Sequence, residues 1–232
     1  MHCHRNTVTV IPYGLRMKAY LFDLDGTLAA SEVLKARALA QACVSYGAEA
    51  NHLIYADVMG EDWPTVTGYF FRTYSLSPAF DEFNDRFRGF YLDLIEAEVS
   101  ATQGAIEFVL ETRNSGIKIG LVSSAATWMV AKVLSKLDLQ NAFDLVITRE
   151  DVTRHKPDPE AYQLALSQLQ VSAKETLVFE DSSAGLKAAT AAGCRCIAVR
   201  HAFNEKHDFS GALREIESFS EVLGAAAQDW HS

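Results

Sequence analysis

Five short apolar runs alternate with longer amphipathic stretches along the chain. The runs are rich in β-branched and aromatic residues, as is typical of strands buried on both faces; they lie at 18–22, 117–122, 143–148, 176–179 and 196–199. The stretches between them repeat their apolar residues at helical spacing, and the clearest lie at 103–116, 127–139 and 159–169. This alternation predicts an α/β fold in which a parallel sheet is flanked by helices.

The interval between the first two predicted strands breaks this alternation. It contains no convincing strand and is far longer than the dozen or so residues that a simple crossover needs. One helix is predicted over 31–47, where Ser31 can cap it and Gly47 can end it. A second, longer helix carries an apolar stripe from Phe80 to Ile95. The interval therefore predicts an all-helical insertion.

These patterns give the predicted domain organisation. We expect an α/β core formed by residues 17–30 and 99–232, with a helical cap domain at 31–98. Met17 would make a natural start, so residues 1–16 are interpreted as an N-terminal extension outside the fold.

Composition and charge narrow the class of protein. The chain has 232 residues, of which 49% are hydrophobic, enough to bury a core. Its net charge is −9 and it has no Lys/Arg-rich run, which argues against nucleic acid as a partner. No apolar stretch approaches the roughly 20 residues of a membrane span, and residues 1–16 lack the features of a signal peptide. We expect a cytoplasmic protein with no membrane partner, and a monomer, although no pattern sets the oligomeric state.

The four cysteines show no framework spacing and are expected to be free thiols. The sequences HCH at 2–4 and CRC at 194–196 both lack a second pair at zinc-like spacing, so neither is interpreted as a metal site.

Two carboxylates mark the end of the first predicted strand. Asp23 and Asp25 lie two apart on an extended segment, so their side chains point the same way. Gly26 permits a sharp turn immediately after them, and ligands of open parallel sheets bind beyond the strand ends. Two bare carboxylates would repel each other unless a cation lies between them.

Polar residues also follow three later strands. Ser123 and Ser124 precede a helix whose first N–H groups can bind an anion. Lys156 lies in a loop stiffened by prolines, and Glu180 and Asp181 end the fourth strand. Hard carboxylate oxygens of this kind suit Mg2+, which also coordinates substrate phosphate.

These residues carry a resemblance to a known family. DLDGT at 23–27, Ser123 in VSSA, Lys156 in KPDP and Glu180-Asp181 in EDSSAG are similar, in order, to the four motifs of the haloacid dehalogenase-like (HAD) superfamily. Within it, the chain resembles the β-phosphoglucomutase-like phosphatases with a helical cap. The resemblance covers roughly residues 17–225 and implies a Rossmann-like core. An Asp-x-Asp pair alone would be weak evidence for this family, whereas four motifs at successive strand ends are specific evidence for it.

The resemblance implies a Mg2+-dependent phosphatase that hydrolyses a small phosphorylated metabolite through an aspartyl phosphate. Asp23 would be the nucleophile, and Asp25 would protonate the leaving oxygen and then activate water. Mg2+ would bind Asp23, the backbone carbonyl of Asp25, and Asp181, with Glu180 close by or acting through water.

The transferring phosphoryl group has its own predicted partners. Ser123 and Lys156 would bind it and offset its charge. Ser124 offers a further hydroxyl beside the same helix start, and Thr27 is expected to add a contact near the turn.

Departures from the family pattern bear on the alternatives. A phosphosugar mutase remains open, but Lys35 stands where mutases of this branch have a histidine. Asp25 argues against dehalogenation, and the segment after Met59-Gly60 lacks the lysine that phosphonoacetaldehyde hydrolases need. A non-catalytic member that binds a phospholigand or a protein is the alternative of another class.

The aromatic-rich cap should select the substrate, with GEDWP at 60–64 as the expected specificity contact.

Overall fold

The computed structural model describes residues 17–223, so the predicted extension at 1–16 lies outside the described residues. Its sheet has six parallel strands in the order β3-β2-β1-β4-β5-β6. The strands are β1 (Ala19–Phe22), β2 (Lys118–Val122), β3 (Leu145–Ile147), β4 (Thr176–Glu180), β5 (Arg195–Val199) and β6 (Arg214–Ile216). The predicted α/β fold with a Rossmann-like parallel sheet is confirmed.

Seven α-helices accompany the sheet in the described part of the chain. They are α1 (Glu32–Val44), α2 (Trp63–Thr73), α3 (Phe80–Glu98), α4 (Ala105–Asn114), α5 (Thr127–Lys136), α6 (Glu160–Leu169) and α7 (Ser183–Ala191). Short 3₁₀ helices lie at His52–Asp57, Arg149–Asp151, Ala173–Glu175 and Phe219–Glu221.

The central strand is covered on both faces, as its continuous apolar sequence predicts. Tyr20 and Phe22 pack into one cluster with side chains of α4 and α5. Ala19 and Leu21 point the other way, into a second cluster with side chains of α6 and α7. Because successive strand residues face opposite sides, one short strand supports both layers.

Helices α1 to α3 occupy the long interval after β1. Helix α1 begins at Glu32, directly after Ser31, but the Ser31 hydroxyl donates to Asp25 instead of capping the helix. The helix also ends at Val44, earlier than Gly47. The absence of a strand in this interval agrees with the predicted helical insertion, while the cap boundaries at 31 and 98 stay a prediction.

The last described segment completes the core. The ring of Phe219 is fully buried, with centroids 6.2 Å from Phe22, 5.4 Å from Phe108 and 5.3 Å from Phe179. Strand β6, which the sequence analysis missed, precedes it. Its three residues include the exposed Arg214 and Glu215, so it shows no apolar run.

We predict that Phe219→Ala destabilises the protein by about 3 to 5 kcal/mol, because it opens a cavity among three aromatic rings. Urea unfolding followed by circular dichroism measures the change. Leu213→Ala is the control: Leu213 is 42% exposed, and its truncation should cost no more than about 0.5 kcal/mol. If both variants lost the same free energy of unfolding, the segment after β5 would not be part of the core.

Candidate active site

Polar side chains from four strands meet at the carboxyl edge of the sheet. Asp23 follows β1, Ser123 follows β2, Lys156 lies in the loop after β3, and Asp181 follows β4. The strand ladder continues into this edge, since the Asp23 N–H donates to the Phe179 carbonyl at 3.0 Å. All four residues line one cavity of about 680 Å³ between the sheet edge and the helices of the interval.

Lys156 is the central cation of this edge. Its Nζ donates to Asp23 Oδ1 at 2.6 Å, to the Val122 carbonyl at 2.9 Å and to Glu180 Oε1. Burial opposes the lysine's charge, but Asp23 and Glu180 more than offset this and raise the pKa of Lys156 above its ordinary value. Lys156 therefore stays an ammonium group throughout the physiological range.

Glu180 lies behind Lys156 and is fully buried. Its Oε1 also accepts from the Tyr162 hydroxyl at 2.8 Å, and its Oε2 accepts from the Ser182 hydroxyl at 3.1 Å. Both oxygens are thus engaged by protein donors. Glu180 fixes Lys156, and it does not line the cavity itself.

Three buried carboxylates form a group that can hold a metal ion. Asp23, Glu180 and Asp181 each place an oxygen within 4.8 Å of the others. Burial, aided by the neighbouring carboxylates and opposed by Lys156, holds the pKa of Asp23 and of Asp181 well above the ordinary range of a carboxyl group. When all three are ionised, their charge exceeds that of the single ammonium of Lys156 by two, and this charge lies on hard oxygen donors. This donor set fits a divalent cation.

Asp25 faces a different set of partners from Asp23. Its Oδ1 accepts from the Ser31 hydroxyl and from the Tyr91 hydroxyl, the latter at 3.3 Å. Its Oδ2 lies 3.4 Å from Lys35 Nζ. All three partners lie in the interval between β1 and β2, and together they fix the position of the Asp25 side chain at the cavity wall.

Lys35 is itself held by a buried pair. Its Nζ donates to Glu32 Oε1 at 2.6 Å, and Glu32 accepts from the Tyr55 hydroxyl through its other oxygen. Burial opposes the charge, but Asp25 and Glu32 outweigh it and hold the pKa of Lys35 well above its ordinary value. The side chain is an ion-pair partner and not a base.

The predicted phosphate-binding residues differ in placement. Ser123 is buried and Ser124 is exposed, and both line the cavity. The Ser123 hydroxyl accepts from the Ala125 N–H at 3.0 Å, which orients it at the start of the loop before α5. Thr27 is not brought to the cavity: it is fully buried in the turn, and its hydroxyl has no hydrogen-bond partner in the described part of the chain.

The sequence analysis missed His201, which follows β5 at the same edge. Its Nε2 lies 2.9 Å from Asp181 Oδ2. Burial lowers the pKa of His201, which keeps its ring neutral at pH 7. A sequence signal was present, because His201 is a polar residue just beyond the end of β5, as Asp23 is beyond β1 and Ser123 is beyond β2.

The far wall of the cavity is formed largely by aromatic and polar side chains of the interval and of α5. Gly60, Glu61, Asp62, Trp63 and Pro64 all line it, which places the expected specificity segment at the cavity. Trp63 and Pro64 belong to the first turn of α2, and Asp62 caps that helix through the Thr65 N–H at 2.8 Å.

A family model and several known proteins are similar to this chain in sequence, and they agree with the arrangement of its site residues. Residues 20–199 match the family model described as haloacid dehalogenase-like hydrolase. The chain belongs to this haloacid dehalogenase-like family. It is 30% identical to the phosphorylated carbohydrates phosphatase of Thermotoga maritima over 82% of this chain and 88% of that one. It is 32% identical to hexitol phosphatase A of Escherichia coli, over 80% and 84%.

A solved structure gives the same result. The crystal structure of CbbY from Rhodobacter sphaeroides in complex with phosphate matches with a TM-score of 0.81 at 26% identity, covering 92% of this chain and 99% of that chain. A further CbbY crystal structure, of a mutant, contains xylulose-(1,5)bisphosphate. Its family and its named phosphatase relatives identify this chain as a phosphatase, as expected from its motifs.

Two remaining features of the described residues match the sequence analysis. Cys43, Cys194 and Cys196 are buried free thiols, while Cys3 and the HCH sequence lie outside the described residues. Within 17–223, no helix is both long and apolar enough to span a membrane.

We predict that Mg2+ stabilises the metal-free protein more at pH 8 than at pH 5. Because the folded-state pKa values of Asp23 and Asp181 exceed the unfolded value of 3.8, their contribution to stability is complete below that pH and is lost as the pH rises. A bound divalent cation replaces the lost protons. At 100 times the Kd, the Tm should rise by on the order of 5 to 10 °C at pH 8.

Differential scanning fluorimetry measures the shift, with sodium chloride at matched ionic strength as the control. Asp23→Asn should reduce the shift at pH 8, because it removes one anionic ligand. A Tm shift that is equal at both pH values would contradict the assignment of the acidic group as a cation site.

Proposed function

We propose that this protein is a Mg2+-dependent phosphatase that hydrolyses a small phosphorylated carbohydrate through an aspartyl phosphate on Asp23. The observation that carries the proposal is the convergence of Asp23, Lys156 and Asp25 on one cavity. The names of the phosphorylated carbohydrates phosphatase and of hexitol phosphatase A, and the sugar bisphosphate bound to CbbY, support a phosphorylated carbohydrate as substrate.

Asp23 acts as the nucleophile in the first step. Lys156 holds its Oδ1 at 2.6 Å, which fixes the carboxylate at the cavity wall. An oxygen of Asp23 forms a bond to phosphorus while the ester oxygen leaves with its bonding electrons. Asp25 gives that oxygen a proton, so the products are the alcohol and the aspartyl phosphate.

Water then hydrolyses the aspartyl phosphate. Asp25, now ionised, takes a proton from the attacking water, and phosphate leaves as Asp23 is restored. Lys156 and Ser123 stabilise the negative charge of the phosphoryl group in both steps. When bound, Mg2+ supplies further positive charge to the phosphoryl oxygens, and Asp23 and Asp181 would hold it.

Lys35 favours hydrolysis over the mutase alternative. A mutase needs a group that deprotonates a sugar hydroxyl, and a histidine serves this role better than a lysine near neutral pH. Lys35 is paired with Glu32 and Asp25, and its pKa is raised. The non-catalytic alternative gains no support, because the proposed nucleophile, its cation and the acidic group are all present.

A screen of phosphorylated metabolites tests the proposal. We expect phosphate release from sugar and sugar-alcohol phosphates with Mg2+ and none in chelator. Asp23→Asn should lower kcat by at least about 10⁴-fold, because an amide is a poor nucleophile. Asp138→Asn is the matched control, since Asp138 is exposed and lies away from the cavity.

Two results would contradict the proposal. One is Asp23→Asn activity within tenfold of the wild type. The other comes from an assay with β-glucose 1-phosphate and a trace of glucose 1,6-bisphosphate. Glucose 6-phosphate that accumulates faster than free phosphate in this assay would identify a mutase.

We predict a separate signature for Asp25→Asn. Loss of general acid–base help should cost about 10² to 10⁴ in kcat for a sugar phosphate, whose alkoxide leaves poorly. The loss should be smaller for p-nitrophenyl phosphate in the first step, because p-nitrophenolate leaves without a proton. Rapid-quench measurement of phosphoenzyme formation separates the two substrates. An equal loss in that step for both esters would rule out the general acid role.

A further inference from the structure

His201 is held in one tautomer by its own loop. Its Nδ1 accepts the backbone N–H of Phe203 at 3.2 Å. Since an accepting nitrogen of a neutral ring carries no hydrogen, the hydrogen must be on Nε2. Nε2 is therefore the donor in the 2.9 Å hydrogen bond to Asp181 Oδ2.

Asn204 fixes the loop that presents His201. Its Oδ1 accepts the His201 N–H at 3.0 Å, and its Nδ2 donates to the carbonyls of Val199 and Asp181, both at 2.8 Å. Asn204 is fully buried. One side chain thus connects the end of β5, the backbone of His201 and the backbone of Asp181.

The turn after β1 closes on the same pair. Gly26 has φ +76°, and a Cβ at this position would lie 2.0 Å from Asp181 Oδ2 and 2.7 Å from His201 Nε2. Only glycine fits there. The glycine at this turn therefore leaves the space in which the Asp181 carboxylate and the His201 imidazole meet.

We propose that His201 is a positioning residue for the metal ligand Asp181. Its hydrogen bond engages Oδ2, which turns Oδ1 toward the cation site shared with Asp23. His201 is not itself part of the group of mutually close ligand atoms, which comprises Asp23, Glu180 and Asp181. Its hydrogen-bearing nitrogen also faces the carboxylate, so it acts through Asp181.

This inference rests on the divalent-metal site of the proposed function. Donors that orient a ligating carboxylate typically contribute 10-fold to 100-fold to metal affinity. Because Asn204 binds the backbone of His201 and of Asp181 through its own hydrogen bonds, loss of the imidazole should leave the fold intact.

Isothermal titration of the metal-free, full-length protein with MgCl2 tests the proposal without relying on activity. His201→Ala should raise the Kd for Mg2+ by about 10-fold or more. His201→Gln should recover it to within about 3-fold of wild type, since the glutamine Nε2 can donate to Asp181. His207→Ala is the matched control: His207 lies in the same segment, where its Nδ1 accepts the Ser183 N–H at 3.1 Å.

His207→Ala should bind Mg2+ like the wild type, and circular dichroism should show all variants folded. Wild-type affinity in His201→Ala would overturn the inference while leaving the phosphatase proposal intact. Equal losses in His201→Ala and His207→Ala, or no recovery in His201→Gln, would also overturn it, because the loop alone would then be responsible. A wild type that binds no Mg2+ would refute both this inference and the metal in the proposed function.

Discussion

The ammonium group of Lys156 is the interaction on which the site depends. It reaches from the loop after β3 to Asp23 after β1, to the carbonyl of Val122 in β2 and to Glu180 in β4. Four neighbouring strands are thereby joined at one buried point. Such a charge is tolerated in the interior only with close partners and complete hydrogen bonding, which Glu180 and Asp23 supply. The sheet order brings these partners together, and the lysine keeps their carboxylates at hydrogen-bonding distance.

The two aspartates of the first motif are separated by one residue and belong to two different environments. Asp23 is bound by the sheet edge through Lys156, whereas Asp25 is bound by Ser31, Lys35 and Tyr91 from the interval after β1. Asp23, the proposed nucleophile, needs a fixed position relative to the phosphoryl group, which rigid strands provide. Asp25, the proposed proton donor, must reach the leaving group, and its partners belong to the same interval that supplies much of the cavity wall. Both arrangements are possible because the first helix of the interval begins at Glu32, shortly after Asp25.

Sequence alone could predict most of the fold and most of the site, for a specific reason. Buried parallel strands appear as apolar runs, and polar residues at their carboxyl ends identify Asp23, Ser123, Lys156 and Asp181. The same rule applied to β5 would have found His201. It could not find Tyr91 or Tyr162, whose helical spacing is that of ordinary core aromatics. Thr27 is the opposite case, because it belongs to the motif but is buried in the turn and does not line the cavity.

The adjacent acids Glu180 and Asp181 show how a strand end assigns different tasks to similar groups. Successive side chains of extended backbone point to opposite sides. Glu180 therefore meets Lys156 and Tyr162, whereas Asp181 meets His201. Each carboxylate of the edge has a donor of its own or shares Lys156, which limits their mutual repulsion. The oxygens of Asp23 and Asp181 that these donors leave free are then the natural position for a divalent cation, and the donors decide which oxygens those are.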